Sequence, residues 1–222
     1  MTTNIQTEQL TQAGQQIEHD SFAIVDSEAG HHDYAEGQWQ IVRRMIHATA
    51  DFEFNGLTEF SATAVEAGVA AILNGAPIVA DVEMICVGLS QPRLGHFGIT
   101  THQFIADSDV IEAAKQVNST RAVQAMRKAQ RLGLLNGGII AVGNAPTALL
   151  EVLWMIREEN LKPALIVGMP VGFVSAAESK HALSQLQDVP WIITRGRKGG
   201  STLVVAAIHA LLSLAEGQQK NG

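Results

Sequence analysis

Cysteine and basic residues are both scarce in this chain. Cys86 is the single cysteine among 222 residues, so neither an internal disulfide nor a cysteine-based metal cluster can form. We therefore expect a reducing, cytoplasmic setting. Lys and Arg number 15 against 22 Asp and Glu, which gives a formal net charge of −7. Because general nucleic-acid binders are usually basic, the charge argues against that class of partner, although a local basic patch could bind a small anion.

Long apolar runs are absent as well. No stretch reaches 18 uninterrupted apolar residues, so the sequence predicts no membrane span. The polar N-terminus lacks the apolar core of a secretory signal. Hydrophobic residues make up 46% and charged residues 17% of the chain, which is typical of a globular protein. The length suits one domain, and we predict a polar lead-in over residues 1–16 and a single domain over residues 17–222.

Several well-known site motifs are missing. No G-x-G-x-x-G follows a predicted strand, no G-x-x-x-x-G-K-[ST] occurs, and no G-x-S-x-G elbow is present. These absences argue against a dinucleotide site, a phosphate-loop nucleotidase and a hydrolase triad. Of the eight histidines, His31 and His32 adjoin Asp33, but three adjacent loop residues cannot all face one ion. We predict that they form a solvated loop and that the chain has no metal site.

What is present is a repeated strand, glycine-containing loop and helix in the second half. Apolar strands are predicted over residues 138–142, 164–167 and 191–194, each followed by a helix. Alternation of this kind predicts a parallel sheet with helices on both faces. For the first half the pattern predicts helices over 38–48 and 58–74, strands over 77–85 and within 96–106, and a helix over 109–132 interrupted near 118–120.

The three loops after these strands should meet at one edge of the sheet, where α/β proteins bind ligands. In residues 195–201, Lys198 and two arginines flank glycines before Ser201, which favours an anion but also suits a basic surface turn. Asn144, in the loop 143–147, is either a ligand contact or a helix cap. The apolar loop 168–173 either floors a pocket for a large flat ligand or is an ordinary turn.

Two further groups suggest proton chemistry. Arg43 and His47 are four residues apart and share a face of the predicted helix. A group that titrates near neutrality beside a fixed cation suits proton transfer on an anionic ligand, while a capping or structural role is the alternative. Asp81 and Glu83, two apart, would share one face of the predicted strand as an acidic pair or as a turn network.

Six short motifs occur in an order that is specific in combination. Together they resemble the precorrin-8X methylmutase family, which includes the cobalt-precorrin-8 methylmutases, and the resemblance runs from Ile17 to Leu212. The motifs are Arg44-Met45-Ile46-His47-Ala48, Asp81-Val82-Glu83-Met84, Thr120-Arg121-Ala122, Gly143-Asn144-Ala145-Pro146-Thr147-Ala148-Leu149, Pro170-Val171-Gly172-Phe173-Val174 with Glu178-Ser179-Lys180, and Gly196-Arg197-Lys198-Gly199-Gly200-Ser201.

The resemblance implies an isomerase of cobalamin biosynthesis. Its reaction moves a methyl group from carbon 11 to carbon 12 of the corrin macrocycle and gives hydrogenobyrinate, or cobyrinate when cobalt is present. No cofactor is consumed, and any cobalt is carried by the substrate. The resemblance further implies a flavodoxin-like three-layer α/β/α fold and a homodimer with the site near the interface. Within the matching motif, His47 takes the place of the catalytic histidine that protonates or hydrogen-bonds to the macrocycle.

The expected ligand contacts come from the family resemblance and from the loops and helix face described above. The motifs place Ser21, Arg121, Asn144, Thr147 and Gly199 around the ligand, and the loops and helix face add Arg43, Gly172, Phe173, Lys198 and Ser201. The chain departs from the family at His209, where the family often has Asn. Two alternatives stay open: a non-catalytic tetrapyrrole carrier with the same pocket, and a phosphate- or nucleotide-binding enzyme that would rest on the loop 195–201 alone.

Overall fold

The computed structural model describes residues 11–221. Residues 1–10 of the predicted lead-in lie outside this range. The described part begins with helix α1, Gln12–Glu28, whose cap Thr11 accepts a hydrogen bond from the backbone N–H of Gly14 at 3.1 Å. Helix α1 therefore begins five residues before the predicted boundary between lead-in and domain.

One six-stranded sheet organises the fold. Its spatial order is β1-β6-β5-β4-β2-β3, and β2 to β6 are parallel. Those five strands have the order of a flavodoxin-like sheet, which confirms the predicted fold class. The strands are β1 (Thr58–Phe60), β2 (Ile78–Ala80), β3 (Thr101–His102), β4 (Ile139–Val142), β5 (Leu165–Gly168) and β6 (Trp191–Thr194).

The first strand corrects the sequence prediction. β1 pairs antiparallel with β6, with Thr58 opposite Thr194, so the sheet is not wholly parallel. The helix predicted over 58–74 is in fact this edge strand followed by a helix that begins at Ala64. Pairing with β6 is a long-range contact, and such contacts override the local helical pattern.

Eleven helices are found among the described residues, and most predicted ones are confirmed. They are α1 (Gln12–Glu28), α2 (Glu36–Thr49), α3 (Phe54–Leu57), α4 (Ala64–Leu73), α5 (Glu83–Gly88), α6 (Gln91–His96), α7 (Ser108–Gln116), α8 (Arg121–Arg131), α9 (Pro146–Glu159), α10 (Ala176–Ser184) and α11 (Ser201–Asn221). The predicted break near 118–120 is confirmed, since Thr120 caps α8 by accepting a bond from the Val123 N–H at 3.2 Å.

The strand predicted over 77–85 is shorter than expected. β2 ends at Ala80 and α5 begins at Glu83, so Asp81 and Glu83 do not share a strand face. The acidic pair is therefore not formed. Asp81 is buried while Glu83 is exposed, so the two carboxylates lie in different environments.

Side chains alternate across the sheet and divide the core into two layers. In β4, Ile139 and Ala141 pack with α1, α2, α4, α5, α6 and α11. Ile140 and Val142 pack on the opposite face with α8, α9 and α10. This three-layer arrangement brings the start of α11, after β6, to the same edge of the sheet as the start of α5, after β2.

Helix α11 lies in the middle of the helix layer that packs on Ile139 and Ala141 of β4. Among the described residues, it is the one helix that is long and apolar enough to cross a membrane by length and composition. Two thirds of its apolar window is buried inside the protein, and it packs against α2 and α4. A buried position of this kind is typical of the core helix of a globular protein.

Candidate functional site

The three glycine-containing loops meet at the carboxyl edge of the sheet, as predicted. The backbone N–H of Val171 donates to the carbonyl of Gly143 at 3.3 Å, which joins the loops after β5 and β4. The Gly172 N–H donates to the Arg197 carbonyl at 3.2 Å, and the Gly200 N–H donates to the Met169 carbonyl at 2.8 Å. These bonds tie the loop after β6 to the loop after β5, so all three loops form one connected surface.

Two glycines permit this close contact. A Cβ on Gly143 would lie 2.7 Å from the Cα of Ser201, and one on Gly199 would lie 2.3 Å from the carbonyl oxygen of Met169. Both distances are far shorter than van der Waals contact allows. A side chain at either position would therefore push the loops apart.

Asp81 anchors the loop after β4 from beneath. Its carboxylate accepts backbone N–H bonds from Gly143 at 3.0 Å, Asn144 at 2.8 Å and Ala145 at 2.6 Å. The side chain is fully buried. Burial raises the pKa of the Asp81 carboxyl above its usual value, and the three backbone donors oppose that rise. The carboxylate thus supplies an acceptor for the buried N–H groups of Gly143 and Ala145, which water does not reach, and for the partly buried N–H of Asn144.

An open cleft of about 390 Å³ lies beside these loops, between α2, α5 and α11. Its polar side chains come from α1, α2 and the first turns of α11, while its apolar ones come from α2, α5 and α11. The lining residues are Glu18, Arg44, His47, Ala48, Met84, Gly88, Ser201, Thr202, Val205, Ala206 and His209. Of the predicted site residues, His47 and Ser201 therefore share one cleft.

His47 stands at the edge of this cleft with one ring nitrogen held. Its Nδ1 lies 2.7 Å from the hydroxyl oxygen of Ser21, and its ring centroid lies 5.0 Å from that of Phe22. Both partners come from α1, which packs along α2. In the described part of the chain, Nε2 of His47 has no hydrogen-bond partner, so it can bond to a ligand.

A second groove, of about 430 Å³, adjoins the first at His47. It runs between α1 and the end of α2, and its surface is mostly apolar. Its lining residues are Ile17, Asp20, Ser21, Ile24, Val25, Glu28, Ile46, His47, Ala50 and Phe52. His47 and its partner Ser21 thus stand on a ridge between two depressions.

The arginine that lines the cleft is Arg44 and not the predicted Arg43. The Arg43 guanidinium pairs with Asp26 at 2.9 Å and lies 4.6 Å from the ring centroid of Phe22. Arg44 pairs with Glu18 at 3.3 Å within the cleft. Both arginines are spaced from His47 as helical neighbours, at four and three residues. The spacing alone could not choose between them.

A second group of predicted residues lies at the loops and not in the His47 cleft. Thr147 is 3.1 Å from Thr120, hydroxyl to hydroxyl, beside the exposed Arg121 at the start of α8. The Asn144 side chain is exposed on the loop that Asp81 anchors. Phe173 is 83% exposed, and the Arg197 guanidinium lies 5.4 Å from its ring centroid.

Lys198 is engaged by acidic neighbours. Its ammonium pairs with the Asp51 carboxylate and, at 3.1 Å, with that of Glu53. The hydrogen bond from Lys198 lowers the pKa of Asp51, and the hydrogen bonds to Asp51 and Glu53 raise the pKa of Lys198. The positive charge of Lys198 is therefore largely compensated, which reduces its pull on an anionic ligand.

His209 forms part of the cleft wall. Its Nε2 accepts a hydrogen bond from the backbone N–H of Ser90 at 3.1 Å, which places the proton of the neutral ring on Nδ1. Two turns further along α11, Glu216 forms a buried ion pair at 2.7 Å with Arg93 of α6. These contacts join α6 to α11. His209, which stands where the family often has Asn, therefore has a structural partner in the backbone of Ser90.

The described residues contain no group of three or more His, Cys, Asp or Glu side chains that could hold a metal ion. In the predicted solvated loop, exposed His31 lies 3.2 Å from Asp33, while the His32 ring stacks on Trp39 with centroids 3.9 Å apart. His32 is thus partly packed and not fully solvated.

Comparison with known proteins shows which family this chain belongs to. The family model described as Precorrin-8X methylmutase matches residues 16–214. The chain belongs to the precorrin-8X methylmutase family. It is accordingly an enzyme, an isomerase of corrin biosynthesis.

Individual members of the family are similar over nearly their whole length. A cobalt-precorrin-8 methylmutase of Leptospira interrogans is 52% identical over 93% of this chain and 96% of its own length. A cobalt-precorrin-8 methylmutase of Priestia megaterium is 49% identical over 93% of this chain and 91% of its own length. The crystal structure of a precorrin-8X methylmutase from Thermus thermophilus superposes with a TM-score of 0.87 at 52% identity, covering 92% of this chain and 97% of the other.

Proposed function

We propose that this methylmutase moves the methyl group on carbon 11 of precorrin-8X or cobalt-precorrin-8 to carbon 12, giving hydrogenobyrinate or cobyrinate. The observation that carries the proposal is the placement of His47. Its Nδ1 is held by Ser21, and its Nε2 is available at the edge of a cleft. The names of the Leptospira, Priestia and Thermus proteins support this choice of substrate.

His47 acts in this proposal as the proton donor to the macrocycle. When the Ser21 hydroxyl donates to Nδ1, the ring proton lies on Nε2 and can be shared with the substrate. A proton shared in this way withdraws electron density from the conjugated ring and favours methyl migration, provided that the bond is stronger in the transition state. Because substrate and product are isomers, any transferred proton returns to His47 within one turnover, and no cofactor is consumed.

The cleft offers partners for the other parts of a corrinoid. Arg44 and the start of α11 at Ser201 and Thr202 suit peripheral carboxylates, since arginine and free helical N–H groups both bind anions. Met84 and Val205 supply apolar contacts to the ring. The predicted contacts outside the cleft complete the periphery in this proposal: Arg121, Asn144, Thr147, Gly172, Phe173, Lys198 and Gly199. Arg43, held by Asp26, positions α1 instead of touching the ligand.

A second copy of the chain completes the site in this proposal. A cleft of about 390 Å³ is at the low end of the range for drug-sized ligands, and a substituted tetrapyrrole is larger than such ligands. Apolar side chains are exposed at its rim, with Met84 at 64% and Val87 at 74%. Such a rim is typical of a surface that another protein covers.

We expect light scattering to give about twice the chain mass of 23.7 kDa. The charge substitution Val87→Asp should weaken the association, because it places a carboxylate in an apolar interface. As a control, the same change at exposed Val117 on the opposite side of the sheet should leave the mass unchanged. A monomer at micromolar concentration, with or without corrinoid, would contradict the proposed homodimer.

The reaction itself is tested by an absorption time course. Purified protein is mixed with metal-free precorrin-8X and, separately, with the cobalt form, and the spectrum is followed. Conversion to the rearranged chromophore in either mixture supports the mutase and identifies the substrate. Binding without spectral change in both mixtures would support a tetrapyrrole carrier. Thermal stabilisation by flavin mononucleotide, with no effect of either corrinoid, would favour the nucleotide-binding alternative.

A further inference from the structure

A buried lysine holds the loop that leads into α11. Lys180, on α10, is 1% exposed. Its ammonium donates to the carbonyl of Lys198 at 2.6 Å and lies 3.5 Å from the hydroxyl of Thr194. That hydroxyl donates to the same carbonyl at 2.8 Å. Two donors from different elements thus hold one carbonyl of the loop 195–200.

The held carbonyl is close to the cleft. Lys198 precedes Ser201 by three residues, and Ser201 and Thr202 line the cleft with His47. Between them, the Gly200 N–H is bonded to the Met169 carbonyl at 2.8 Å. With both ends of this short segment held, the first turn of α11 has little freedom to move. Loss of the Lys180 bond would leave the Lys198 carbonyl with the Thr194 hydroxyl as its remaining donor, which weakens the hold on one end.

No carboxylate compensates the charge of Lys180. The elements packed against α10 are α9 and β6, and the loop 195–200 lies over the ammonium. The charged groups on these elements are paired elsewhere or exposed: Glu178 and His181 on α10, Glu151, Arg157, Glu158 and Glu159 on α9, and Arg195, Arg197 and Lys198 in the loop. Among the described residues, the partners of Lys180 are the Lys198 carbonyl and Thr194.

An uncompensated buried ammonium is a cost to the fold. Burial lowers the pKa of Lys180 to about 8. An apolar side chain of similar length, such as Met, would fill the same space without that cost. The stability of the fold therefore does not account for a lysine here. Residues that break a local rule in this way are expected at functional sites.

We propose that Lys180 is a positioning residue, which holds the first turn of α11 in the conformation that binds the anionic ligand at the His47 cleft. The identity of this ligand depends on the proposed function, whereas the geometry of the loop 195–200 does not. The ammonium form donates a charge-assisted hydrogen bond, which is stronger than the bond from a neutral amine. Deprotonation therefore loosens the loop while it leaves the packing around α10 intact.

The pH dependence separates positioning from a purely structural role. An unfolded lysine keeps its proton up to about 10.5, whereas folded Lys180 loses it near 8. The unfolded state thus binds more protons between these values, so the contribution of Lys180 to the free energy of unfolding rises with pH. Order in the loop should fall over the same range. A structural role would move stability and loop order in the same direction.

The test is hydrogen exchange of the free protein, followed by mass spectrometry at pH 6 to 9 and corrected for the chemical exchange rate. In the wild type we expect protection of the peptide covering 195–203 to fall about tenfold as the pH passes 8, while protection of α9 stays constant. In Lys180→Met the loop should be poorly protected at every pH. Lys115→Met, which removes an exposed lysine on α7, is the matched control and should behave as wild type.

A binding measurement follows on the same variants. Lys180→Met should raise the Kd for the corrinoid product about tenfold at pH 7, without a fall in the thermal midpoint, and Lys180→Arg should restore part of the affinity. Loop protection that is independent of pH in the wild type would overturn the proposal, even if Lys180→Met failed to fold. A protein that binds no corrinoid but shows the loop transition would contradict the proposed function and leave the role of Lys180 in loop order supported.

Discussion

His47→Ala should abolish most of the turnover and leave corrinoid binding almost intact. General acid catalysis by a placed side chain contributes about 10² to 10⁴ in rate, so we expect kcat to fall about a thousandfold. The change removes an exposed ring at the edge of the cleft and creates no cavity in the core. Single-turnover absorption kinetics measure the rate, and a titration monitored by absorption measures the Kd.

Two variants sharpen this result. Ser21→Ala keeps the imidazole but removes the hydroxyl that holds Nδ1 at 2.7 Å, so we expect a smaller loss in kcat with little change in Kd. His19→Ala removes an exposed histidine on the same helix as Ser21 and should match wild type in both constants. If His47→Ala turned over as fast as wild type, the histidine would not be the proton donor, and the cleft would act through binding and orientation alone.

Asp81→Ala should destabilise the protein more than any surface substitution. The variant leaves three backbone N–H groups, the buried ones of Gly143 and Ala145 and the partly buried one of Asn144, without their acceptor. An orphaned buried donor costs about 1–3 kcal/mol, and partial relaxation of the loop reduces the sum. We expect the free energy of unfolding to fall by about 3–5 kcal/mol. Urea unfolding followed by circular dichroism, at one fixed protein concentration, measures the change.

The isosteric and exposed variants test the cause. Asp81→Asn keeps one acceptor oxygen and should lose less, about 1–3 kcal/mol, because the amide nitrogen faces a backbone donor. Asp188→Ala removes an exposed carboxylate and should stay within about 0.5 kcal/mol of wild type. A loss below about 1 kcal/mol in Asp81→Ala would mean that water reaches the loop and replaces the carboxylate.

These two residues differ in how far sequence reasoning could go. His47 stands in a motif that resembles a known family, and its helical face was predicted from spacing. For Asp81 and Glu83 the sequence predicts either an acidic pair or a turn network, and the pair does not form. Its actual role joins β2 to a loop more than sixty residues later. No local pattern reports such a contact.

The same contrast holds across the candidate site. The convergence of the three loops followed from the alternation of strands and helices, because the carboxyl ends of parallel strands share an edge. Choosing Arg44 over Arg43 required the packing of α1 on α2, since Glu18 and Asp26 decide which arginine faces the cleft. Lys180 belongs to one of the motifs that resemble the family, but its burial beneath the loop 195–200 appears only in the folded chain.

Sequence patterns were sufficient to predict the class of fold, the positions of the later strands and helices, and the resemblance to the family. Hydrophobic periodicity, helix capping and the order of motifs are local or additive properties, so they can be recognised in the sequence alone. The antiparallel edge strand β1, the short β2, and the partners of the buried charges Asp81 and Lys180 became visible only in the folded chain. Each depends on a contact between distant segments, whose energy exceeds the weak local preference that the sequence reveals.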